Sequence, residues 1–131
     1  MMAKMIHSMI RVYDATKSVE FYKKALDLDI KERFDFEGFS LIYLGNHESD
    51  FELELTYNYG QQEPYTHASG YGHLAVTVEN IENAHFTMLL MGLEPEQIKS
   101  MNNNNKTLAR FFFISDPDGY RIEFIEKSGR Y

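Results

Sequence analysis

Two histidines and two glutamates stand at matched places in a repeated pattern of this sequence, and their types are those that bind divalent cations. His7 opens the alternating run Ile-His-Ser-Met-Ile-Arg-Val-Tyr over residues 6–13, and His73 opens a second, Gly-His-Leu-Ala-Val-Thr-Val, over 72–78. Glu54 lies in Phe-Glu-Leu-Glu-Leu-Thr-Tyr-Asn (51–58), and Glu123 in Tyr-Arg-Ile-Glu-Phe-Ile-Glu (120–126). The separations nearly agree: 54 − 7 = 47 residues in the first case and 123 − 73 = 50 in the second. Two neutral imidazoles and two carboxylates suit Zn²⁺, Ni²⁺, Co²⁺ or Mn²⁺. A carboxylate on a strand whose other face is Phe and Leu must stay solvated, find a partner or ligate metal. Spacing alone leaves two readings open. One is a four-ligand metal site; the other is solvent-facing glutamates beside ordinary polar histidines. His47, His67 and His85 fall in a turn, a linker and a helix, and receive no role.

The elements that must carry these residues repeat in the same order. In the first strand His7, Met9 and Arg11 alternate with Ser8, Ile10 and Val12. A helix follows, with Asp14 or Thr16 as N-cap and a stripe of Val19, Tyr22 and Leu26. Strands are expected at 30–34, 39–44 and 51–57, the last two separated by Gly45-Asn46 turn chemistry. The second half begins with the strand at His73. Asn80 then caps a helix striped by Ile81, Ala84, Met88 and Met91, with Gly92 at its end. Strands at 108–114 and 120–126 are joined by Asp116-Pro117-Asp118-Gly119, a turn sequence with Pro second and Gly fourth. The expected fold is α+β, two tandem βαβββ modules in a single domain spanning 1–131. Module 1 covers 1–59 and module 2 covers 71–127, joined by the Gly-, Pro- and polar-rich linker 60–70. The run Asn102–Asn105 reads as a solvated loop tip.

Composition narrows the function classes. At 131 residues the chain can form one domain or two small repeated lobes. Acidic residues outnumber basic ones 20 to 13, a net charge of −7 that argues against nucleic acid as a partner. Without cysteine there are no disulfides, thiolate metal sites or cysteine nucleophiles. No apolar run is long enough to span a membrane, and the N-terminal residues do not read as a signal peptide, so a cytoplasmic protein is expected.

The segments His7-Ser-Met-Ile-Arg11-Val, Ser18-Val-Glu-Phe21-Tyr22, Glu52-Leu-Glu54-Leu-Thr-Tyr57-Asn58-Tyr-Gly60, Tyr71-Gly72-His73 and Asp116-Pro-Asp-Gly119-Tyr-Arg-Ile-Glu123 resemble glyoxalase I, the lactoylglutathione lyase family of the vicinal-oxygen-chelate superfamily. They fall in order across nearly the whole chain. The resemblance implies a homodimer whose metal sites lie between subunits. His7 and Glu54 would come from one subunit, and His73 and Glu123 from the other. It further implies that Glu123 is the catalytic base, that Glu54 serves the other face of the substrate, and that Arg11 and Asn58 hold glutathione. Lys106, beside the Asn-rich run, is a candidate for the substrate carboxylates, as is Lys99. The short chain resembles the bacterial nickel- or cobalt-activated class more than the longer zinc class, although Zn²⁺ also suits the ligands.

This family isomerises the methylglyoxal–glutathione hemithioacetal to S-lactoylglutathione through an enediolate, which detoxifies methylglyoxal. Other members of the superfamily are the rival readings: a dioxygenase, an epimerase, a thiol transferase, or a non-catalytic drug- or metal-binding module. Glu54 favours glyoxalase I, since the thiol transferases lack that ligand and the epimerases usually carry Gln there. Three positions depart from the family pattern: Ser69 replaces an arginine found in some members, Asp27 replaces the glycine that ends the first helix, and Arg110 stands on a strand usually apolar there.

Overall fold

A computed structural model describes all 131 residues, Met1–Tyr131. They divide into two compact units, Met1–Thr66 and His67–Tyr131, and the division falls inside segment 60–70. No helix is long and apolar enough to cross a membrane.

Unit 1 runs β1 (His7–Arg11), α1 (Ala15–Leu26), β2 (Asp29–Asp35), β3 (Phe39–Gly45) and β4 (Glu52–Asn58). The strands form one sheet in the order β1-β4-β3-β2, with β1 parallel to β4 and the other pairs antiparallel. A hairpin cannot join parallel neighbours, so the chain passes through α1, β2 and β3 before β4 returns beside β1. Alternation sorts the sheet faces as expected. Ile10, Val12, Ile42, Leu44, Leu53 and Leu55 are buried, while His7, Met9 and Arg11 stand on the other face. The helix complements the buried face with Ser18, Phe21, Tyr22 and Ala25. That i, i+3, i+4, i+7 stripe is rotated from the expected Val19, Tyr22 and Leu26, because burying the adjacent Phe21 and Tyr22 rings together turns Val19 and Leu26 to the flanks.

Asp14, of the two cap candidates, is the one used: its Oδ1 accepts from the Lys17 amide at 3.0 Å. The helix ends on Asp27 in the left-handed region at φ 54°, its amide donating to Lys23 O. This is where the family pattern has glycine. Aspartate tolerates the conformation, and the Lys23 ammonium holds its carboxylate at 2.7 Å. Asp27→Ala keeps the positive φ without that polar side chain, and should lower the midpoint of urea unfolding. Asp27→Gly should cost less than Ala.

Unit 2 repeats the plan with β5 (Leu74–Val78), α2 (Ile81–Leu90), β6 (Lys99–Asn103), β7 (Lys106–Ser115) and β8 (Arg121–Glu126), in sheet order β5-β8-β7-β6. Asn80 caps α2 by accepting from the Asn83 amide at 2.9 Å. Ile81 and Met88 are buried, together with Phe112, Ile114, Ile122 and Phe124. Phe112 and Phe124 stack at 4.8 Å. The Asp116–Gly119 turn is tied by Asp116 Oδ1, which accepts from the amides of Asp118 and Tyr120 at 2.9 and 2.8 Å. Gly119 takes φ +84°, a conformation that explains the glycine.

One expectation needs correcting. Asn102 and Asn103 are not loop but the end of β6, paired with Thr107 and Lys106. Only Asn104 and Asn105 form the tip, both at positive φ (51° and 62°), as a two-residue hairpin requires.

Candidate metal centre

Strand register brings each histidine to a glutamate in the same way in both units. In unit 1 Glu54 on β4 lies opposite Met9, two residues beyond His7. In unit 2 Glu123 on β8 lies opposite Ala75, two residues beyond His73. The extra three residues between His73 and Glu123 therefore fall in the connections and leave the pairing unchanged. His7 Nε2 comes to 3.6 Å from Glu54 Oε1, and His73 Nε2 to 3.2 Å from Glu123 Oε1. Both glutamates are buried, 8% and 6% exposed, so neither is a solvated surface residue. That removes the solvent-facing alternative for the carboxylates and calls for a partner.

The imidazoles remain open to solvent, with 34% and 43% of the side chain accessible. Each pair thus has one buried anion and one accessible nitrogen donor. Two donors about 2.1 Å from a common ion stand about 3.0–3.4 Å apart, so the two donor atoms within each pair are spaced, with little adjustment, as neighbouring ligands of a divalent cation would be. Neither unit gathers three or more metal-capable side chains by itself. Each unit brings together one histidine and one glutamate.

The sequence reading missed the third member of each half-site. Tyr43 on β3 is the other cross-strand neighbour of Glu54, and Phe113 on β7 that of Glu123. The Tyr43 ring meets His7 edge-on at 5.8 Å, and Phe113 meets His73 edge-on at 5.2 Å. The hydrogen bond from the Tyr43 hydroxyl to the Glu54 carboxylate, aided by burial, pushes the phenol up to about 12. Tyr43 is therefore a neutral donor at any physiological pH. Its position in an alternating strand was readable, but its partner depends on hairpin register.

Of the expected substrate residues, two share the sheet face of Glu54. Arg11 pairs with Thr56 in register with the Met9–Glu54 pair, and Asn58 lies two residues further along β4. The Asn58 amide nitrogen donates to the Tyr65 hydroxyl at 2.9 Å, which fixes its direction. Lys106 is not brought to the His73–Glu123 pair within its unit. It opens β7 at the hairpin tip, seven residues along the strand from Phe113, about 23 Å at strand rise. Lys99, on β6, pairs with Phe111. Arg110, at the position usually apolar, joins Glu82 and Glu126 in an ion-pair cluster that ties α2 to the sheet.

Two four-stranded sheets of the same repeated order accompany membership of one broad class. The family model described as the Glyoxalase/Bleomycin resistance protein/Dioxygenase superfamily matches residues 4–124. Within that class, a lactoylglutathione lyase of Haemophilus influenzae is 34% identical over 128 residues, covering 94% of this chain and 92% of its own. One from Neisseria meningitidis serogroup A is 36% identical over 129 residues, covering 95% and 91%. Among solved structures, the trypanothione-dependent glyoxalase I of Leishmania major superposes with a TM-score of 0.75 at 32% identity, over 95% of this chain and 87% of that one. The chain belongs to the glyoxalase I, or lactoylglutathione lyase, family.

Proposed function

We propose that this enzyme isomerises the hemithioacetal of methylglyoxal and glutathione to S-lactoylglutathione. The observation that carries the reading is one His–Glu pair at the same register in each of two repeats, His7–Glu54 and His73–Glu123. The family implies a divalent metal, and the donor set fits one. The relatives' names supply the substrate.

In this reading His7 and Glu54 of one subunit and His73 and Glu123 of a second hold the ion, most simply Ni²⁺ or Co²⁺, with Zn²⁺ as the competing occupant. Such an ion supplies Lewis acidity, stabilising negative charge on the substrate oxygens. Glu123 removes the proton from the carbon that bears sulfur, leaving an enediolate. The same carboxyl returns a proton to the neighbouring carbon, so the product is an isomer and no other reactant is consumed. Glu123 is buried with a phenyl ring as its cross-strand neighbour, which keeps bulk water away from the carboxylate. Glu54 lines the opposite face of the substrate. Arg11 and Asn58 lie on the Glu54 face and offer a cation and an amide for the anionic tripeptide; Lys106 would serve only as an outlying contact. The hemithioacetal forms where glutathione is plentiful and reduced, which places the activity in the cytoplasm.

The test is a direct assay. Protein stripped by chelator should be inactive on preformed hemithioacetal and regain turnover with Ni²⁺ or Co²⁺. Wild-type protein that binds these ions yet leaves the hemithioacetal unchanged would count against the reaction while sparing the metal site.

A further inference from the structure

Segment 60–65 folds back on the end of β4 instead of leaving it. Gly60 reverses the chain at φ +76°, and the Gln61 amide donates to Asn58 O at 3.4 Å. The Tyr13 hydroxyl, two residues past Arg11, donates to Gln62 O at 3.5 Å and ties the segment to unit 1. Tyr65 then returns to the sheet, where its hydroxyl oxygen accepts from the Asn58 amide nitrogen at 2.9 Å. Both side chains are half-buried. A primary amide can present either its carbonyl or its NH₂ to a ligand, and the partner of one end decides which. With Nδ2 held by the phenol, Asn58 has Oδ1 left to offer.

We propose that Tyr65 is a positioning residue that holds Asn58 carbonyl-outward, so that the enzyme selects a thiol carrier with an N–H donor at that point. The inference rests on the glutathione reading above. Asn58 shares the sheet face of Glu54 and lies one row beyond the Arg11–Thr56 pair, about 7 Å along the strand. Neighbouring rows therefore offer a cation and a neutral acceptor, which suit a carboxylate and an N–H group of one peptide. The tripeptide has two kinds of N–H donor, its ammonium and its peptide groups. Without the phenol the amide is free to turn over, and a ligand N–H would then meet NH₂ and lose its acceptor. Because the segment's own hydrogen bonds set Tyr65 in place, the choice is made before substrate arrives.

The experiment uses the full chain loaded with Ni²⁺, S-methylglutathione as the unreactive probe, and three variants: Tyr65→Phe, Asn58→Asp, and the two combined. Tyr65→Phe should weaken probe binding by about three- to tenfold, the usual effect of losing one neutral hydrogen bond, and raise KM with kcat little altered. A carboxylate is an acceptor whichever way it turns, so in the Asn58→Asp background the same Tyr65→Phe change should have no effect on probe affinity. A merely structural role for Tyr65 would weaken binding equally in both backgrounds, and that result overturns the proposal. Loss of all probe binding in Asn58→Asp would make Asn58 a donor to the ligand and overturn it too. The S-methyl analogue with glutaryl in place of the glutamyl residue keeps both peptide groups and lacks the ammonium. Sensitivity of that analogue to Tyr65→Phe assigns the donor to a peptide N–H, and insensitivity assigns it to the ammonium; either upholds the positioning role. Wild-type protein that binds no S-methylglutathione overturns the glutathione reading, and this inference with it. Wild-type protein that binds the probe no better than Tyr65→Phe overturns the inference alone.

Discussion

Glu123→Gln, fully metallated, should lose at least about 10²-fold in kcat, the low end for removing a general base. The change keeps the side-chain volume and one oxygen that can face an ion, but removes the anion to which the proposed mechanism gives the proton. The site around it is well constrained: Glu123 is buried at 6% exposure, with His73 Nε2 at 3.2 Å and Phe113 across the strand. A glutathione-type inhibitor should bind almost as before, since Arg11 and Asn58 are on the other unit's sheet and untouched. Metal content must be read on the same samples, because an emptied site would imitate a lost base. Glu54→Gln should cost less in turnover and more in metal affinity. Near-normal kcat in metal-loaded Glu123→Gln would assign the proton to another group.

Much of this centre was legible because duplication constrains a sequence twice. Alternation places Glu54 and Glu123 on definite strand faces, and the matched separations point to equivalent positions in the two units. What alternation cannot supply is a cross-strand neighbour, which depends on how far a hairpin runs before it turns. Tyr43 was therefore visible as a strand residue and invisible as the partner of Glu54. The Asn-rich segment failed for a different reason. Asparagine is depleted in strands, yet Asn102 and Asn103 extend β6 because the pairing with Lys106 and Thr107 outweighs that preference at a hairpin tip. The same extension explains the displacement of Lys106: what looked like a loop beside a site is the far end of a ten-residue strand. In α1, two adjacent aromatic rings competed for one core face, and a stripe drawn through Val19 could not foresee that both would win.

Mixing two inactive variants should restore activity. His7→Ala disables the half-site of unit 1, and His73→Ala that of unit 2. Both imidazoles are a third or more exposed, so truncation should leave the fold intact. Each variant alone should be nearly inactive, since every site lacks one nitrogen ligand. Suppose the sites are built between subunits, with unit 1 of one chain facing unit 2 of the other. A heterodimer of the two variants then concentrates both defects in one site and leaves the second with all four ligands. Random reassortment makes half the dimers heterodimers, each with one good site of two, so activity should recover to about a quarter of wild type. If each site were instead formed by the two units of a single chain, every site in the mixture would still carry one defect, and recovery would be nil. The comparison needs only denaturation and refolding of the mixed variants, with each refolded alone as the control. Because His7 and His73 occupy the same register in the two units, a symmetrical loss from both single variants is itself expected, and only the mixture distinguishes the two ways of completing the set.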